Sequence, residues 1–189
     1  MSNLKSIKQF HEFFITNDSL GIEFNPPVKK KEIKKFESDY GWEFPDQVQE
    51  LLMVFNGEAP TSAGACAGLK FCSLDTMMKA YSNYVDIFET VDNRVVPDWA
   101  PFLKQEHSWS PDWIPIAEDN ICSNVVYLDP FPSSVGKVGQ IFLRDDEHYI
   151  SGVKAVGIGN LLKSILSWIQ ENGDMPRFNR LPDIMKTTS

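Results

Sequence analysis

The chain is short of cysteine, of basic charge and of long apolar runs. Its 189 residues include three cysteines, Cys66, Cys72 and Cys122. An odd count without metal-ligand spacing excludes a disulfide framework and predicts reduced thiols in a cytoplasm. No stretch approaches the ~20 consecutive apolar residues of a membrane helix. The N-terminus lacks an apolar core followed by small residues at a cleavage site, so neither a signal peptide nor a membrane partner is expected. Lys and Arg together number 18 against 26 Asp and Glu, a formal net charge of −8. That balance argues against binding nucleic acid, whose affinity rests on cations that neutralise phosphates. It permits a basic protein partner.

Catalytic and cofactor motifs are missing too. Gly157-Ile158-Gly159 opens a helix, but Leu162 stands where a dinucleotide loop needs its third glycine. Gly136-Lys137 is followed by Val138 instead of Ser or Thr, and Phe131 replaces the first glycine of a phosphate loop. No serine sits in G-x-S-x-G. His11, His107 and His148 are scattered. Asp145-Asp146-Glu147-His148 reads as a hairpin turn, because four consecutive polar residues cannot all face one ion. The expectation is a non-enzymatic chain with no catalytic residue, metal or cofactor.

What is present describes a globular domain: 42% apolar, 23% charged and 12% aromatic residues. Leu4, Ile7, Phe10, Phe13 and Phe14 recur at helical spacing. After Asn25-Pro26-Pro27 a charged helix begins near Lys29, with Ile33, Phe36 and Tyr40 on one face and Gly41 at its end. Pro45-Asp46 opens a third helix, capped by Asp46, with Val48, Leu51, Leu52 and Phe55 as its stripe. Leu69 to Leu74 is expected as a strand, and Asp75 as the cap of a fourth helix. Trp113 to Ala117, Asn124 to Leu128 and Gln140 to Arg144 are short β-rich runs separated by turn residues. Pro115 predicts an edge or a bulge in its strand. A final helix spans about Gly159 to Asn172, and residues 174–189 read as an extended or loosely docked tail. The pattern is α+β: a single domain with an antiparallel sheet of about four to six strands and helices packed on one face and at the ends.

Four fragments recur in one order. They are Ile33-x-x-Phe36-Glu37 with Tyr40-Gly41 and Pro45; Leu51-Leu52 with Phe55-Asn56-Gly57; Trp113 to Asp119 with Tyr127-Leu128-Asp129; and Gly139-Gln140-Ile141 before an apolar helix. Over about residues 26–171 the chain resembles the SUKH superfamily, which includes fungal cell-wall-assembly regulators and many bacterial toxin-immunity proteins. The resemblance implies an α+β domain. For bacterial members it implies a cytoplasmic protein that binds and neutralises a toxin, often a nuclease domain. On this reading residues 1–25 are an N-terminal helix and linker. Residues 26–173 are the domain, with an insertion near 92–111, and residues 174–189 are the tail.

The shared residues have physical readings of their own. Asn56-Gly57 fits a left-handed helix end. Glu37 bonds a loop backbone or is solvated. Gly41, Pro45 and Gly139 are structural punctuation. Trp113 fills the core or an edge, or faces a partner. Asp119 and Asp129 flank turns, where a carboxylate accepts backbone N–H groups, or they join an acidic rim. The surface expected to bind is the Pro-rich segment with Asp98, Trp99, Phe102, Glu106, Trp109 and Asp112: aromatic anchors amid carboxylates. Residues 41–160 hold 7 basic and 17 acidic side chains, while each flank is net +1. The leading expectation is an immunity protein whose acidic face occludes a basic toxin domain; the sequence leaves the oligomeric state open, with a monomer slightly favoured. The alternative is a regulatory scaffold of cell-wall or signalling machinery.

Overall fold

The structure is a computed structural model that describes residues 3–41, 43–80, 82, 100–104, 110–121, 123–145 and 149–186. Helix α1 (Asn3–Thr16) buries Ile7, Phe10 and Phe14, the stripe its spacing predicts. Helix α2 (Lys30–Tyr40) starts with the Lys29 N–H donating to Glu32 Oε2, 2.8 Å. It stops at Gly41, whose φ of +66° lets its N–H reach back to the Glu37 carbonyl. Helix α3 (Asp46–Val54) buries Val48, Leu51 and Leu52. Helix α4 is described over residues 74–80, and α5 (Ile158–Asn172) ends at Gly173.

The five strands are β1 (Lys70–Phe71), β2 (Ile114–Glu118), β3 (Asn124–Asp129), β4 (Gln140–Asp145) and β5 (Ala155–Val156). They form one antiparallel sheet in the order β1-β2-β3-β4-β5. The register slips between Pro115 and Ala117. A bulge there accommodates a residue that cannot donate to the ladder, as expected for Pro115.

Side-chain alternation gives the sheet two buried faces. Ile116, Val126, Leu128 and Ile141 point toward α1, α3 and α5 in the main core. Aromatic rings of Phe10, Phe14, Phe24, Phe55 and Phe71 pack in that core with centroids 4.3 to 6.5 Å apart. Trp113, Val125, Tyr127 and Phe142 point the other way, into a smaller core with Ala100, Phe102, Leu103, Ile150 and Val153. Double coverage explains why β3 is a continuous apolar run rather than an alternating one. The segment near 92–111, expected as an insertion, is described only at residues 100–104 and 110–111. Its described residues Ala100, Phe102 and Leu103 form the cover of the second face.

Other local expectations shift for physical reasons. The strand expected over 69–74 ladders only at Lys70–Phe71, because Ser73 already starts α4: its Oγ accepts the Thr76 N–H at 3.1 Å. Ser73, not Asp75, is therefore the cap. Helix α3 has Pro45 at its N-cap and Asp46 inside its first turn. Helix α1 contributes to the main core, and so do Phe178 and Leu181 of the tail. Among the described residues, no helix is long and apolar enough to cross a membrane.

The tail is held by charge. Lys154 is buried, and its ammonium meets Asp183 Oδ1 at 2.7 Å, the Leu181 carbonyl at 2.8 Å and the Asn179 carbonyl at 3.3 Å. Beside it, Val153 pairs with Met185 as an isolated bridge. All these partners come from the tail, so removing one leaves a buried cation under-compensated. Asp183→Ala is expected to lower unfolding free energy by about 2–3 kcal/mol. Lys154→Met should cost less, since the carboxylate left behind can turn to water. Urea unfolding of both variants checks this; an equal or larger loss for Lys154→Met would contradict it.

Candidate functional site

Two depressions open at the end of the sheet where β2 turns into β3. The larger, about 500 Å³, is lined by Leu69, Asn124, Leu143, Asp145, Tyr149 and Arg177 among others. The smaller, about 190 Å³, is lined by Glu58, Lys70, Glu118, Asp119 and Asn120 with their neighbours. Lys70 pairs with Glu118 across β1 and β2, and Asn124 with Asp145 across β3 and β4, so both depressions lie at this end of the sheet. Four carboxylates therefore line this end, against the cations of Lys70 and Arg177. Two large apolar side chains stand out beside them: Ile121 is 79% exposed and Tyr149 53%.

The turn that carries Ile121 is built by Asp119. Its Oδ1 accepts the Ser123 N–H at 2.8 Å and the Ile121 N–H at 3.2 Å, and its Oδ2 accepts Asn124 Nδ2 at 2.9 Å. Asp145 Oδ1 accepts the Tyr149 N–H at 2.8 Å. The exposed apolar groups are thus placed by carboxylates that tie their own backbone.

Glu58 forms the floor of the smaller depression. It is buried and accepts the Phe71 N–H at 2.8 Å, the Ala65 N–H at 3.0 and 3.1 Å, and the Ser62 hydroxyl at 2.5 Å. Burial raises its pKa, and these bonds oppose the rise without cancelling it. Cys66 is buried nearby, and its thiol is pushed well up by burial and then by Glu58, which makes it a poor nucleophile.

Among the described residues, the candidate binding residues do not share one surface. Asp98, Trp99, Glu106 and Trp109 lie outside the described residues. Phe102 and Trp113 are buried in the second core, where Trp113 meets Phe142 edge-on at 4.9 Å. Asp129 is buried as well; Oδ1 accepts the Phe131 N–H at 2.9 Å and Oδ2 accepts Gln140 Nε2 at 2.9 Å. Burial raises its pKa, with the nearby Asp112 adding to the rise. Phe102, Trp113 and Asp129 are thus turned inward rather than toward a partner. Asp112 is half-buried near Asp129, whereas Asp119 lies at the opposite end of β3.

The remaining shared residues brace the backbone. Glu37 is buried, and its Oε1 accepts the Phe44 N–H at 2.9 Å, the loop bond anticipated for it. Gly57 lies beyond the end of α3 instead of capping it. Its φ is +67°, and a side chain there would run into the backbone of Phe71, Cys72 and Ser73. Asn56 Oδ1 accepts the Leu74 N–H at 2.8 Å, supporting the start of α4. Gly139, at φ +77°, leaves room for the Gln47 side chain, whose Oε1 accepts the Ile158 N–H that opens α5. Gln47 and Lys154 carried no local signal, since their partners are remote in sequence; those of Glu58 are four to thirteen residues away, in a loop without a regular period.

Among the described residues, no three His, Cys, Asp or Glu side chains converge on a possible metal position. The fold and these surfaces define an α+β domain whose polar side chains mostly hold loops for display. A family profile, the SMI1/KNR4 family (SUKH-1), matches residues 27–155, and the chain belongs to that family. A comparison with curated proteins finds no match.

The raised pKa of Glu58 has a sign. The folded state holds this proton more tightly than the unfolded chain, so its contribution is full below the ordinary glutamate value. It is lost as pH rises through the raised value. Glu58→Gln should remove that falling component from about pH 4.3 upward. Melting temperatures of both proteins against pH check this; a difference between them that does not change with pH would contradict it.

Proposed function

We propose that this chain is a protein-binding module of the immunity type, which neutralises a basic toxin domain, such as a nuclease, by covering it with the acidic end of the sheet. The observation that carries the reading is the pairing of three carboxylates, Glu118, Asp119 and Asp145, with the exposed Ile121 and Tyr149 on turns fixed by hydrogen bonds. The acidic excess of residues 41–160 supports it, as does family membership, because the family is generally non-catalytic. Inhibition by occlusion needs no bond-making. Carboxylates at a rim speed the encounter, and apolar anchors slow dissociation. The proposed partner surface thereby moves from the tryptophan segment to the hairpin end. A cytoplasmic location belongs to the same proposal.

The test is co-purification and growth rescue with the toxic domain encoded beside this chain's own gene. A complex and protection are expected; failure of both would sink the reading. Within the complex, Ile121→Ala with Tyr149→Ala should cost about 2 kcal/mol, mainly through faster dissociation. Glu118→Gln with Asp145→Asn should instead slow association and flatten its salt dependence. Surface plasmon resonance across a salt series separates the two effects.

A further inference from the structure

The opposite end of the same sheet carries a surface of different character. The β3–β4 connection, residues 130–139, exposes Phe131 at 56%, Val135 at 63% and Val138 at 73%. This loop is clamped. Asp129 Oδ1 accepts the Phe131 N–H, the Ser133 N–H donates to the Phe102 carbonyl at 3.1 Å, and Ser133 Oγ donates to the Pro101 carbonyl at 2.7 Å. The Lys137 N–H donates to Gln140 Oε1 at 3.1 Å and the Gly139 N–H to the Asp129 carbonyl at 2.8 Å. At Gly136 a Cβ would collide with the Phe102 carbonyl and Pro132, so the loop lies flat on the 101–102 backbone. Apolar side chains on a fixed backbone lose little further freedom on docking.

The charge here is reversed. Lys104 Nζ lies 5.3 Å from the centre of the Phe131 ring, and Lys137 sits in sequence between Val135 and Val138. Among the described residues neither lysine is in an ion pair. Two carboxylates lie close by: Asp129, buried beneath the loop, holds its hydrogen bonds and feels Lys104, and Asp112 is half-buried beside it.

We propose that the 130–139 loop is a second docking surface, for an acidic protein segment bearing apolar side chains, and that the domain can hold two partners at once. Charge complementarity selects the occupant: Lys104 and Lys137 meet carboxylates while Phe131, Val135 and Val138 take the apolar groups. An anionic bilayer offers the same sign, but the protein's net charge of −8 opposes approach to an extended surface of like charge. The two surfaces are separated by the length of β3, about 17 Å for five residue steps. A short peptide on the loop therefore does not overlap the turn that carries Ile121.

Random linear peptides displayed on phage and selected against the full chain supply the probe. Selected sequences should place Leu, Phe or Trp beside Asp or Glu. A synthetic peptide of that kind should bind the V135S/V138S double variant about tenfold more weakly. For K104Q/K137Q, binding should weaken less and its salt dependence should flatten. Circular dichroism should be unchanged in both variants, since all four side chains are exposed. Selected peptides that bind wild type and V135S/V138S equally would overturn the proposal. So would loop-dependent sedimentation with three-to-one phosphatidylcholine–phosphatidylserine vesicles, which would assign the loop to a membrane. Conversion of a dimer to a monomer by V135S/V138S would overturn it in favour of a second copy of this chain.

Discussion

A buried backbone N–H without an acceptor costs about 1–3 kcal/mol, and this chain has many loops packed against its cores. It meets that constraint with side-chain acceptors, some two to seven residues away and one more than a hundred. Glu58 accepts Ala65 and Phe71, Glu37 accepts Phe44, Asp129 accepts Phe131, Gln47 accepts Ile158, and Asn56 accepts Leu74. Each bond satisfies a donor and also fixes the path of a connection. A carboxylate or amide spent in this way is unavailable to a partner. What remains for recognition is whatever the fixed connections present outward.

That division orders the two ends of the sheet. At one end, Asp119 holds a turn that lifts Ile121 beside Glu118 and Asp145. At the other, Asp129 and Gln140 hold a loop that lifts three apolar side chains beside two lysines. The same device, a carboxylate closing a turn at the end of β3, produces surfaces of opposite charge. The strands between them are buried on both faces and transmit rigidity rather than contact. The chain belongs to the SMI1/KNR4 family (SUKH-1) over residues 27–155, which include all but the last residue of the sheet.

Much of the architecture was legible in the sequence because local patterning carried it. The Ile7, Phe10, Phe14 stripe marked α1, the final helix was expected over about Gly159 to Asn172 where α5 lies, and Gly41 marked a helix end by its left-handed turn. The three long strands were visible as β-branched and aromatic runs, and Pro115 announced its bulge. Strand β5 was not visible, since two residues show no period and the pairing to Gln140 and Ile141 is remote. Docking of the tail was equally silent: it depends on a lone lysine at 154 meeting a lone aspartate at 183. The segment around Phe102 misled because proline-rich composition signals irregular backbone, not exposure. Irregular backbone can cover a sheet face when its carbonyls find donors, as those of Pro101 and Phe102 do in Ser133 and Gln140.

The central claim is that recognition resides in the hairpin end of the sheet rather than in its helical face. Hydrogen–deuterium exchange of the protein, alone and bound to the toxic domain encoded beside it, tests this most directly. The account predicts slower exchange on binding at residues 118–124 and 145–151, with α1, α3 and α5 unchanged. Protection confined to the helices, with the hairpin end exchanging as in the free protein, would contradict it.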